Sequence, residues 1–229
     1  KNSSGWTLAK FDGKLIPVTK EIREDTTVQA IVESYHKQIS GKYDVVVGRA
    51  AQDFVGEAAN NMVSDALREV FSTDFCIQNY GGVRTGLVEG PVTVGDIAAL
   101  YPFGDTVIKF RATGAEIKKM LQPNHQAVSN IRYALKEQKL EFAEINGRPI
   151  DDKATYSGVT TSFFARQELP SNISRINTKM DIRTAIIQYM RKKGSISADN
   201  ENRGQTKPKI VESREPSMTF AYLLMPQAS

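Results

Sequence analysis

The hexapeptide Asn79-Tyr80-Gly81-Gly82-Val83-Arg84 carries the clearest chemistry in the chain. It follows the apolar run Phe75 to Gln78, so a strand is expected to open into adjacent glycines and then a guanidinium. Glycines let backbone N–H groups approach an anion, and an arginine grips phosphate through two parallel hydrogen bonds. The spacing matches neither the P-loop nor the dinucleotide fingerprint. A tight turn ending in a surface arginine would use the same residues. Two further segments, Pro102-Phe103-Gly104-Asp105 and Phe163-Phe164, place aromatic rings where the backbone is expected to be irregular. Such rings either stack a base, at ~1–3 kcal/mol per base, or fill a core.

Periodicity supplies the elements that must position these groups. Asp25-Thr26-Thr27 is a helix-entry signal. Val28, Ile31, Val32 and Tyr35 follow at helical spacing, and Gly41 is expected to end the helix. Before it, Trp6 to Phe11 and Leu15 to Val18 read as short strands around Asp12-Gly13. This stretch is either the tail of another domain with a linking helix or an amphipathic start to a domain of its own. Asp44 to Val47 predicts a strand, Glu57 to Val70 a helix with Met62, Val63, Ala66, Leu67 and Val70 on one face, and Phe75 to Gln78 a strand. Thr93 with Asp96, and Thr113 with Glu116, have capping-box spacing, so helices are expected through Leu100 and up to Pro123. Between them Thr106 to Ala112 alternates like a half-buried strand. Ile131 to Ala134, Leu140 to Ile145 and Ala154 to Thr160 predict more strands, with the Asn146-Gly147 turn between the last two. Asp181 is expected to cap a helix carrying Ile182, Ala185, Ile186, Tyr189 and Met190. From Ser195 to Glu215 the chain is polar and reads as loop or partial disorder, and Phe220 to Leu224 as a last strand. Strands and helices mix without a βαβ rhythm, so the fold class is α+β, with mixed sheets packed with helices.

Bulk properties exclude several functions. A length of 229 residues, with 40% hydrophobic and 24% charged side chains, suits one large globular domain or one domain with a short companion. No apolar run approaches the ~20 residues of a membrane span. The net charge of +4 is spread along the chain, and Arg191-Lys192-Lys193 before Gly194 reads as a helix end complementing its dipole. No nucleic-acid partner is therefore expected. Cys76, the one cysteine, excludes an internal disulfide and reads as a buried, inert thiol. Two histidines, His36 and His125, are too few for a dinuclear hydrolase centre, so no metal or cofactor is expected on these residues. No basic-then-apolar leader is visible at Lys1.

Taken in order, these segments resemble the C-terminal domain of the 5′-nucleotidase and UDP-sugar hydrolase family. Asn79-Tyr80-Gly81-Gly82-Val83-Arg84 is similar to its Asn-Gly-Gly-Gly-Ile-Arg motif. Gly90-Pro91-Val92-Thr93, Pro102-Phe103-Gly104-Asp105, Thr113-Gly114 with Ile117 and Leu121, and Asn146-Gly147-Arg148-Pro149-Ile150 with Tyr156 match further landmarks. Asn60 to Ala66 resembles an earlier helix of the family, and Trp6 to Ile39 the end of its metallophosphatase domain and interdomain helix. The resemblance divides the chain into a tail and helix at 1–40, the nucleotidase-like domain at 41–204 and a polar extension at 205–229.

It implies a nucleotide or nucleoside ligand, periplasmic or extracellular placement, and a pair of divalent metals in an N-terminal metallophosphatase domain, in cis or on a separate chain. Phe103 and Phe163, with Phe164 as the alternative to Phe163, would sandwich the base. Arg84 would bind phosphate, Asn79 with the Gly81-Gly82 backbone would shape the loop, and Asp105 stands where an Asn would contact the base. Three features depart from the pattern, the first being Tyr80 in place of a glycine where backbone room is expected. Arg166-Gln167-Glu168-Leu169 replaces a Gly-Gly-Asp-Gly stretch whose Asp contacts ribose, leaving Glu168 as the substitute carboxylate. Asp53, Phe54 and Val55 occupy the places of phosphate-binding arginines, with Arg49 the nearest. A stand-alone binding domain that kept the fold and lost nucleotide chemistry is the competing expectation.

Overall fold

The computed structural model describes residues 10–121 and 126–206. The chain divides after Tyr43 into two units. In the first, α1 (Thr26–Tyr43) is capped by Asp25, whose Oδ1 accepts from the N–H groups of Thr27 and Val28 at 2.8 and 3.1 Å. Those two bonds, Val28's first, hold the Asp25 carboxyl below its ordinary range. The helix runs through Gly41, since one glycine costs a helix only ~1 kcal/mol. None of its residues is buried. Leu15 to Val18 is not a strand: Leu15 and Val18 are almost fully exposed, and no described segment pairs with them. The first expected strand, Trp6 to Phe11, lies largely outside the described residues.

The second unit begins with β1 (Val46–Ala50), two residues later than expected, and α2 (Glu57–Phe71). β2 (Phe75–Asn79) leads into a 3₁₀ turn at Tyr80–Gly82. β3 (Gly90–Thr93) and α3 (Val94–Leu100) follow, with both halves of the Thr93/Asp96 capping box formed. β4 (Thr106–Thr113) keeps the expected alternation, with Ile108, Phe110 and Ala112 buried and Arg111 exposed, and adds Val107 as a buried residue at its start. α4 (Gly114–Leu121) has the second capping box: Glu116 Oε2 accepts from Thr113 N at 2.8 Å, and Glu116 N donates back at 3.3 Å.

β5 (Gln126–Ser129), β6 (Ile131–Lys136), β7 (Lys139–Ile145) and β8 (Arg148–Pro149) come next, then β9 (Thr155–Thr161) and α5 (Ser162–Gln167). β10 (Arg175–Asp181) and α6 (Ile182–Lys193), capped by Asp181 and closed at Gly194, precede β11 (Ser195–Ile196) and β12 (Gly204–Thr206). The Asn146-Gly147 turn, both residues at positive φ, joins β7 to the two-residue β8 rather than to β9. β9 has moved to another sheet.

Three sheets result, with orders β11-β1-β3, β10-β4-β9-β2-β5 and β12-β6-β7-β8. β9 runs parallel to β2 and antiparallel to β4, so the central sheet is mixed. α2, α3 and α6 pack with β1 around Leu67, Ile97 and Ile186. A second core gathers Phe75, Phe110, Ile117, Tyr133 and Phe164. Gly158 makes that core possible: a Cβ there would stand 2.5 Å from the Phe110 ring and 2.6 Å from Phe75, which meet edge to face at 5.6 Å. Cys76 is fully buried, and burial raises its thiol well above the ordinary range.

In the polar stretch from Ser195, residues 197–203 form the expected loop, but two short strands depart from that expectation. β11 pairs with β1 and β12 with β6, both in parallel. Arg203 fastens this segment: its guanidinium donates to both Asp65 oxygens at 2.8 and 2.9 Å, to Asp199 Oδ2 at 2.6 Å and to the Val128 carbonyl at 3.0 Å. Asn61 adds bonds to the carbonyls of Asp199 and Glu201 at 3.0 and 2.9 Å. Gln205 and Thr206 thus belong to β12 rather than to an extension. The expected strand at Phe220 to Leu224 lies outside the described residues.

Candidate functional site

Three connections converge at the ends of β2, α3 and β9. At the end of β2, Gly82 must be glycine, because a Cβ would come within 2.8 Å of the Tyr101 ring. A Cβ on Gly81 would meet only the Asn79 amide, at 3.9 Å. Gly81 thus opens onto the site while Gly82 is packed beneath it. Asn79 Oδ1 is buried and has no donor among the described residues. Arg84 N bonds the Leu100 carbonyl at 2.9 Å, which carries its exposed side chain toward the loop after α3.

That loop presents Phe103, and α5 presents Phe163; each residue is 42% exposed. Phe164 is fully buried in the second core. The difference is helical geometry. Thr161 caps α5 by accepting from Phe164 N at 3.0 Å, and successive residues then project about 100° apart, one outward and one inward. Of the two adjacent rings, only Phe163 has a face available to a ligand.

Phe103 and Phe163 line one pocket of about 130 Å³, together with Asn79, Gly81, Gly82, Tyr101 and Asp105. The Arg84 guanidinium lies 5.9 Å from the Phe103 ring centroid, in cation–π range. Arg84 Nη1 also reaches the Gly81 carbonyl at 3.5 Å. An adjoining hollow of about 360 Å³ shares Asn79 and Phe163 and adds Tyr80, Gln126, Phe164, Gln167 and Glu168. Glu168 borders that second hollow at the end of α5. Arg49 lies on β1 and borders neither hollow, and Asp53 is engaged with the Glu89 N–H at 2.8 Å.

Asp105 ties the two aromatic segments together. Tyr101 Oη donates to its Oδ2 at 3.2 Å, and Ser162 Oγ donates to its Oδ1 at 2.7 Å. The Arg166 guanidinium stands 3.8 Å from Oδ1. Burial first, and the Asp105 charge second, push the Tyr101 phenol above its ordinary range, so it stays a donor. Tyr101 in turn meets Phe103 edge to face at 5.9 Å. One carboxylate therefore fixes the Phe103 loop against the helix that carries Phe163. The sequence pointed to Asp105 but not to its Tyr101 and Ser162 partners. A tyrosine next to a Pro-Phe-Gly turn, and a serine opening a short helix, were the available signals.

Among the described residues there is no group of three or more His, Cys, Asp or Glu side chains able to hold a metal ion. No described helix is long and apolar enough to cross a membrane. The family model described as 5′-nucleotidase, C-terminal domain, matches residues 40–168. The chain belongs to this family. Its match to the endonuclease YhcR of Bacillus subtilis is 27% identical over 162 residues, covering 63% of this chain and 13% of that protein. Its match to the protein UshA of Yersinia enterocolitica is 23% identical over 214 residues, covering 82% and 39%. A 5′-nucleotidase precursor from Thermus thermophilus shares the fold, with a TM-score of 0.73 at 23% identity, over 81% of this chain and 44% of that one. This 5′-nucleotidase C-terminal domain thus spans less than half the length of each of these relatives.

Proposed function

We propose that this domain recognises the nucleotide for a 5′-nucleotidase-type phosphoester hydrolase. The observation that carries the proposal is one pocket between two half-exposed rings, floored by a glycine turn and flanked by a guanidinium. The base stacks between Phe103 and Phe163. The phosphate lies on the Arg84 side, where a metallophosphatase domain, in cis or on a separate chain, supplies the dinuclear metal centre and the hydrolysis. By family likeness the whole protein works in the periplasm or outside the cell.

Residues 1–229 alone are expected to release no phosphate from AMP with zinc, manganese or cobalt added, as read by a malachite green assay. Turnover that survives removal of trace phosphatase would place a hydrolytic centre on this chain. Titration calorimetry with AMP, GMP and UDP-glucose tests the binding itself. Arg84→Ala is expected to weaken a nucleotide by about 1.5–3 kcal/mol, the range for a charge-assisted bond. The matching nucleoside should be nearly unaffected. Equal affinities for wild type and variant would remove Arg84 from the site. No heat with any nucleotide would favour instead a binding domain that has lost nucleotide chemistry.

A further inference from the structure

We infer that the pocket between Phe103 and Phe163 selects guanine over adenine, and that the residue that selects is Asp105. This inference rests on the nucleotide reading above. Asp105 lines the pocket with both rings, and in this proposal its carboxylate sits against the edge of the flat group stacked there. A carboxylate accepts only, and each of its oxygens has about two lone-pair positions. The protein uses one on each: Tyr101 Oη bonds Oδ2 at 3.2 Å and Ser162 Oγ bonds Oδ1 at 2.7 Å. Arg166, largely exposed and 3.8 Å from Oδ1, is beyond hydrogen-bond reach and takes no further position.

Among the described residues, that leaves one acceptor position per oxygen. The base edge that fits is one with two adjacent donors. Guanine offers N1–H and the N2 amino group together. Adenine and cytosine each offer one donor beside one acceptor, and uracil one donor between two carbonyls. Placing an acceptor atom against the carboxylate would set two lone pairs face to face and leave a largely buried charge poorly paired. Sites built around hydrogen bonds reject ligands lacking them far more strongly than apolar pockets reject a size change. The bonds to guanine are charge-assisted, hence among the stronger ones. The side chain is held in place by Tyr101 and Ser162, so little ordering is needed on binding.

The test is titration calorimetry of the full chain with GMP, IMP and AMP, which differ only at the base. GMP is expected to bind at least about tenfold tighter than AMP, with IMP, which keeps N1–H and lacks the amino group, between them. Asp105→Asn should shrink the GMP-to-AMP ratio at least about fivefold, because a carboxamide offers one donor and one acceptor. Its amide can keep both the Ser162 and Tyr101 contacts. If that variant melts early, the wild-type GMP, IMP and AMP series alone decides. AMP binding as tightly as GMP, or more tightly, overturns the guanine assignment and leaves the nucleotide reading standing. Failure of all three nucleotides to bind overturns both.

Discussion

Phe164→Ala is expected to destabilise the domain by about 3–5 kcal/mol, the usual cost of emptying a buried phenylalanine site. Phe163→Ala, one residue earlier, is expected to shift stability by about 0.5 kcal/mol or less and to weaken nucleotide binding by ~1–3 kcal/mol. The two rings have opposite surroundings: Phe164 is fully buried among Phe75, Ile117 and Tyr133, whereas Phe163 lies 42% exposed over the pocket. Urea denaturation reads the first effect and calorimetry with GMP the second. Phe103→Ala should match Phe163→Ala in binding and also lose the Arg84 ring contact at 5.9 Å. A stable Phe164→Ala with weakened binding would invert the assignment. Full affinity after truncating both Phe103 and Phe163 would remove the base slot.

Arg203→Ala is expected to cost about 3–5 kcal/mol of stability, because it strands a partly buried carboxylate. Arg203 is 13% exposed and Asp65 23% by side chain. Burial alone would lower the guanidinium pKa. The Asp65 bonds and charge, followed by those of Asp199, reverse this and raise it. The same four bonds fasten Arg203, the residue before β12, to Asp65 on α2, to Asp199 and to the Val128 carbonyl on β5, so the loss should appear as faster amide exchange at Gly204 and Tyr133, where β12 pairs with β6, as well as an earlier unfolding midpoint. Asp65→Asn in the Arg203→Ala background should recover part of the loss, since it removes the stranded charge. An unchanged midpoint for Arg203→Ala would mean that this ion network does not hold the segment.

The amino-acid sequence determined those features that depend on near neighbours. Capping boxes at Thr93/Asp96 and Thr113/Glu116, the Asp181 cap and the amphipathic α2 each involve residues a few positions apart, and each formed as the spacing predicted. The ordered landmarks from Asn60 to Tyr156 were enough to identify the family, and the mixture of strands and helices its α+β class.

Everything that depends on distant partners was decided by the tertiary structure. β10 is largely polar and β12 is only three residues long. They are strands because β4 and β6 offer unpaired backbone, and Arg203 finds its carboxylate at Asp65, 138 positions away. The choice between Phe163 and Phe164 followed from where α5 begins. Asp105 acquired its role from Ser162, 57 positions away, a partner that folding supplies and local spacing cannot show. Periodicity reports which residues prefer burial or helix. Which buried face meets which, and hence which polar atoms remain available to a ligand, is settled only when the sheets and helices close on one another.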